Sequence, residues 1–150
     1  MKKITKIIAG LLMGTLLMTA FQCGKDYAEP AINPNNAHHS ACLSHTDTDA
    51  KGFESPDSAS VVYHNGTVHV THHNLLVNCG TAVMEGGINV TCTRNGSTID
   101  IYESEDENNP QANCMCEVDN EFDLYGLERG TYTFVFHSWY PEPHSLTISF

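Results

Sequence analysis

Hydrophobic and polar positions divide the chain into three unlike stretches. Ile7 to Phe21 is a mostly apolar run behind Lys2, Lys3 and Lys6, of a length that suits an export signal and is short for a membrane span. From Gly24 to about Ser60 the residues are Pro, Asn, Ser, Asp and paired His with no apolar period, which predicts a disordered tether. From Val61 onward the period is two. Val61-Val62-Tyr63-His64, then Asn65-Gly66, then Thr67 to His73 predict a hairpin, because Asn-Gly suits the positive φ angles of a type I′ turn. Leu75 to Cys79 follows as a short apolar strand. Ile88, Val90 and Cys92 alternate with polar residues, and Arg94-Asn95-Gly96-Ser97 turns the chain into Thr98–Tyr102. Strands are also predicted at Cys114–Leu124, at Thr131–Trp139 with Tyr132, Phe134 and Phe136 on one face, and at Leu146–Phe150.

No amphipathic helix is predicted. About seven short strands with turn signals between them predict an all-β fold, an antiparallel immunoglobulin-like β-sandwich. Leu127, Gly130 and Tyr132 look like the corner entering a late strand of such domains. The expected organisation is a signal peptide over 1–22, a tether over 23–60 and one domain over 61–150.

Charge narrows the partners. The formal net charge is −11. Loss of the leader with its three lysines leaves four basic residues against 18 acidic ones, a charge of −14. Such a chain repels nucleic acid and anionic head groups. Membrane attachment would therefore act through lipid.

Cys23 has two readings. A leader followed at once by Cys23-Gly24-Lys25-Asp26 resembles a bacterial lipoprotein, in which the Cys is acylated, for instance with palmitate, and becomes the first residue. A basic residue and acids after it resemble the surface-export tag of Bacteroidota lipoproteins, which implies the outer face of the outer membrane. The alternative is signal cleavage near Ala20 that leaves Cys23 a thiol, since Gln22 stands where the lipoprotein box has Gly, Ala or Ser. Asp57-Ser58-Ala59 resembles the O-glycosylation acceptor of Bacteroidota secreted proteins, with Ser58 as acceptor.

Export makes disulfides the default for the other cysteines. Cys114 and Cys116 lie two apart on a predicted strand, about 6.6 Å between Cα atoms, which disfavours a bridge between them. Cysteines on neighbouring strands are better partners, and Cys79 and Cys92 are the candidates. The connectivity does not follow from sequence. Each bridge typically contributes about 2–4 kcal/mol.

The competing chemistry is metal. Nine histidines are many for this length. His38, His39 and His45 surround Cys42, and His69, His72 and His73 precede Cys79, donors that suit copper(I) or zinc. No C-x₂-C pair accompanies them. Glu103 to Asn109 has oxygen ligands for calcium but no EF-hand pattern; its plain reading is a solvated hairpin tip. Trp139 and Tyr140 form either a sugar- or peptide-binding patch or a cover for the core. No nucleophile signature, phosphate loop or dinucleotide fingerprint occurs, so neither enzyme activity nor a cofactor is expected.

One combination goes further. Asn78-Cys79 at a strand end, Cys114-Met115-Cys116-Glu117-Val118-Asp119, and Gly130-Thr131-Tyr132 together resemble a family of small uncharacterised Bacteroidota secreted lipoproteins, over roughly residues 61–136. The chain departs from that pattern at Gly80, where relatives often have a second Cys, and at Cys92. The resemblance implies a surface lipoprotein and carries no activity. The sequence thus leads to a surface-anchored, non-catalytic binding or adhesion module of unknown extracellular ligand, with a secreted copper- or zinc-handling protein as the alternative.

Overall fold

In the computed structural model the residues described are 32–47, 58–138 and 143–150, with the backbone alone at 45–47. The leader, Cys23, Trp139 and Tyr140 lie outside them. Strands dominate: β1 (Pro34–His39), β2 (Ser44–Asp47), β3 (Ser58–His64), β4 (Thr67–Asn78), β5 (Ile88–Asn95), β6 (Thr98–Glu105), β7 (Cys114–Tyr125), β8 (Thr131–His137) and β9 (His144–Ser149). One helical turn, α1 (Cys79–Ala82), follows β4. The fold is an all-β sandwich.

The first sheet runs β3, β4, β7 and then β1, with β2 also on β7. β1 pairs with Leu124 down to Asn120 and β2 with Glu117 down to Cys114, so the two form one interrupted edge. Ser40 N–H to Asp119 O (2.8 Å) and Leu43 N–H to Glu117 O (2.9 Å) carry the ladder across the interruption. The second sheet runs β5-β6-β8-β9. All pairings are antiparallel except β6 with β8, which is parallel. The exception has a simple cause. β7, which separates these strands in sequence, lies in the opposite sheet, so the chain starts β8 at the end from which β6 started.

Within the stretch expected as a tether, 23–60, the described residues are largely strand. Pro34–His39 and Ser44–Asp47 are strands, and β3 begins at Ser58, three residues before the expected boundary. Their polar sequence shows no alternation because β1 is largely exposed. It is held by backbone pairing to β7, while Ile32 just before it is 6 % exposed and packs in the core.

The core lies between the sheets. Val68 and Val70 of β4, Phe122 and Leu124 of β7, Ile99 and Ile101 of β6, and Phe134 and Phe136 of β8 are all within 2 % of complete burial. Each such side chain contributes about 1.5–3 kcal/mol by leaving water. The turn joining β3 to β4 has positive φ at Asn65 and Gly66, +52° and +87°, the combination a type I′ hairpin needs.

Two bulges set which residues face inward. In β4, Val68, Val70 and His72 are buried at even positions, then Leu75 and Val77 at odd ones. The register against β7 shifts by one residue between His72 and Leu75, where Asn74 has φ +59°. A one-residue bulge reverses the parity of the strand. Without it Leu75 and Val77 would face solvent. A second shift occurs in β1 between Asn35 and His38, with Asn36 at φ +54°.

Asn tolerates this left-handed backbone and β-branched residues do not. Asn74→Val should therefore lower stability by about 1–3 kcal/mol, whereas Asn74→Gly should stay close to wild type. Urea-unfolding midpoints check this, and equal midpoints for the two variants would contradict a bulge at this position.

Candidate functional site

A polar cluster crosses the core where the alternation of strands would place apolar residues. His72 (β4) and Asn120 (β7) are register partners in the first sheet, and Glu103 reaches them from β6 in the second. His72 Nδ1 donates to Glu103 Oε2, and Asn120 Nδ2 donates to Glu103 Oε1 at 2.6 Å. The His72 and Glu103 side chains are 0 % and 1 % exposed. Phe136 and His144 stack at 4.8 Å between ring centroids, and both rings lie 5.0 Å from His72. Burying an acid in the core is costly unless it is paired and hydrogen-bonded, and here both carboxylate oxygens are satisfied. The pair is sealed from solvent, so its effect falls on stability and on the alignment of the two sheets. Glu103, expected in a solvated acidic loop, is thus a core residue of β6.

His72 accordingly belongs to a buried hydrogen-bonded pair with Glu103 and not with His69 and His73. Those two point to the other face of β4. There His69 Nδ1 lies 2.5 Å from Asp123 Oδ1, His73 Nδ1 is 3.2 Å from Asp119 Oδ2, and His38 Nε2 is 3.6 Å from Glu121 Oε2. Asp119, Glu121 and Asp123 alternate along β7 on this outer face. The Asn36 amide, with help from His69 and Tyr125, holds the Asp123 carboxyl below its ordinary range. Among the described residues, no three His, Cys, Asp or Glu side chains are grouped so as to hold a metal ion.

The cysteines pair differently from the expectation. Cys79 bridges Cys114 (Cα–Cα 5.5 Å), and Cys42 bridges Cys116 (Cα–Cα 5.4 Å). Cys42, placed in a tether and offered as a ligand only in the alternative metal reading, is oxidised because the edge ladder lays it beside β7. Cys92, expected as a disulfide partner, is free. It sits on β5 opposite Ile101 and packs against the main core, away from the smaller cluster that holds Cys116. Burial, with the Glu103 carboxylate adding to it, pushes the Cys92 thiol up to about 12.

Hydrogen bonds fasten the corner around α1. Asn78 caps the turn, accepting from Gly80 N–H at 2.8 Å and Ala112 N–H at 2.9 Å. Glu105 accepts from Asn78 N–H at 3.0 Å and from the Thr81 hydroxyl. Asn109 donates to Gly87 O at 2.7 Å. Gly80 is held to glycine by close approach: a Cβ there would lie 1.7 Å from the Pro110 carbonyl oxygen. Of the acidic stretch 103–109, only the tip is a solvated turn, where Asn108 N–H donates to Asp106 Oδ1 at 2.9 Å.

A cleft of about 210 Å³ opens beside this corner, between 38–41 and 82–86. His39 spans it, with Nε2 2.8 Å from Met84 O and Nδ1 2.8 Å from Ser40 O. Val83 and Met84 on its lip are 77 % and 41 % exposed, and Leu43 on the adjoining turn is 56 % exposed. Ser58 is exposed at the start of β3. The backbone of His45 pairs with Cys116.

Sequence reasoning took Glu103 for part of an acidic loop and missed Asn120, and it gave Asn78 and Glu105 no part in fastening the corner. For the first two a signal was present, since each continues an inward-facing series, Ile99-Ile101-Glu103 and Val118-Asn120-Phe122. Comparison of the chain with protein-family models, with curated proteins and with solved structures gives no match.

Removing one partner of the buried pair, as in Glu103→Ala, should cost about 3–5 kcal/mol. His72→Leu combined with Glu103→Met should cost much less than the single change, and chemical denaturation of the two variants compares them. Separately, Cys92 should resist iodoacetamide at pH 8 in the native protein and react once urea unfolds it, because only the thiolate is nucleophilic. Rapid native alkylation, read by intact mass, would contradict its placement.

Proposed function

We propose that this chain is an exported, lipid-anchored surface protein of the small Bacteroidota lipoprotein type, whose sandwich is a non-catalytic binding module. The leader and Cys23 support the anchor. Two disulfides within one small domain support an oxidising location, where such bridges persist.

The observation that carries the binding reading is the loop end around the cleft. Leu43, Val83 and Met84 expose apolar surface on two loops whose bases are fixed by the bridges Cys42–Cys116 and Cys79–Cys114. Exposed apolar loop residues on a rigid scaffold are the usual arrangement of a recognition surface. At about 210 Å³ the cleft is smaller than the roughly 300–1,000 Å³ of drug-sized ligand pockets. It suits one protruding group of a larger partner, a peptide side chain or a sugar ring, better than an engulfed small molecule.

Two experiments test the halves separately. Cys23→Ala should abolish acylation and release the protein from the membrane fraction; continued fractionation with membranes would exclude the anchor. The released variant, probed on glycan and extracellular-matrix arrays, should bind a defined subset. Val83→Asp with Met84→Asp should weaken that binding at least tenfold without changing the thermal midpoint. Undiminished binding by the double variant would exclude the cleft as the recognition surface.

A further inference from the structure

The two disulfides are not independent: the Sγ of Cys116, in one bridge, lies 3.6 Å from the Sγ of Cys79, in the other. β7 explains the arrangement. Cys114 and Cys116 are two apart on it and share its inner face. Val77 is the register partner of Cys116 and Asn78 that of Met115, so the chain reaching Cys79 arrives beside Cys114, with Cys116 as its diagonal neighbour. Cys79 thus has two sulfurs within reach on one strand. Exposure is graded along the same line: Cys42 is exposed, Cys79 and Cys114 are half-buried, and Cys116 is 3 % exposed.

We propose that the four cysteines form a thiol–disulfide relay, in which reduction at the exposed Cys42 moves the second bridge from Cys79–Cys114 to Cys79–Cys116. The reductant is an external dithiol. One of its thiolates attacks Cys42 Sγ, the accessible end of its bridge; the Cys42–Cys116 bond breaks and Cys116 leaves as a thiolate. The second thiol of the dithiol resolves the mixed disulfide, giving a Cys42 thiol and a cyclic oxidised dithiol. The Cys116 thiolate then attacks Cys79 Sγ, the Cys79–Cys114 bond breaks, and Cys114 leaves as a thiolate and takes a proton from solvent. The balance is two electrons from the dithiol, one disulfide lost from the protein and two thiols gained, at Cys42 and Cys114. Exchange of this kind needs a thiolate in contact with the disulfide sulfur it attacks, and the 3.6 Å separation places Cys116 there. The relay frees the segment ending at Cys42 while the tie between the end of β4 and β7 survives. It does not depend on what the domain binds.

The test uses the full chain with both bridges formed, treated with one equivalent of dithiothreitol at pH 8, quenched with acid, alkylated and mapped by fragment-ion mass spectrometry. The expected product carries label on Cys42 and Cys114, with Cys79 linked to Cys116. Label confined to Cys42 and Cys116, with Cys79–Cys114 intact, would overturn the relay. Label on Cys79 and Cys114 with Cys42–Cys116 intact would overturn it too, as would Cys92, free at the start, found in a disulfide, since exchange would then require an opened core. Cys42→Ser provides the second arm by presenting Cys116 as a thiol from the start. That variant should contain both Cys79–Cys114 and Cys79–Cys116 isomers, and a single Cys79–Cys114 isomer would exclude exchange between them.

Discussion

Successive residues of β7 turn their backbone groups alternately to opposite sides, so the strand faces a pairing requirement along both edges at once. Its backbone donors and acceptors point both to β4 and to the opposite edge, and a strand buried in a sandwich cannot leave such groups unpaired without a cost comparable to a lost hydrogen bond at each. The rest of the first sheet follows from meeting that requirement. β4 covers one edge along its length. The other edge draws in a segment whose own side chains give it little reason to order, and β1 and β2 exist because β7 needs them. Their side chains then add to the backbone pairing: Ser44 donates to Glu117 at 2.6 Å, and Asn36 donates to Asp123 at 2.9 Å.

The buried His72–Glu103–Asn120 group adds a specificity that apolar packing lacks. Val, Ile and Phe side chains between two sheets tolerate small slides, because dispersion is weak per contact and non-directional. A carboxylate with both oxygens hydrogen-bonded from the opposite sheet does not. The group joins β6 to β4 and β7 at one level, next to the stacked rings of Phe136 and His144. It also lies near the step where Asn74 shifts the β4 register, so the alignment of the sheets and the parity of β4 are set within a few residues of each other.

Legibility in the sequence followed the strength of the period. Strands with a buried face declared themselves: Tyr132-Phe134-Phe136, Ile99-Ile101 and the Asn65-Gly66 hairpin were readable because alternation and turn chemistry agree there. β1 and β2 were illegible because their order comes from another strand's unpaired edge and from a bridge 74 residues away in sequence, neither of which leaves a local pattern. The β4 bulge was written in the switch from even to odd apolar positions around Asn74, but a strand interrupted by a polar residue reads equally well as two strands. Glu103 was misplaced for a related reason. Three further acids follow it, and composition outweighed the parity that makes it inward-facing. The cysteines illustrate the limit most plainly, since a pairing depends on which strands are neighbours, and Cys42 had no predicted strand at all.

The bridge from Cys42 to Cys116 has a mechanical consequence. Tension applied to the chain ahead of β1 would first peel β1 from β7, breaking hydrogen bonds one after another as a zipper does. Peeling ends at Cys42. From 32 to 42 the slack gained is at most about 35–40 Å of extended chain, after which the load passes through the sulfur bond into Cys116. That residue lies within β7, with a register partner on each side, His45 of β2 and Val77 of β4. Further extension must shear a central strand along its length, with many hydrogen bonds loaded in parallel, and the domain acquires a hard stop against a pull from its own N-terminal side.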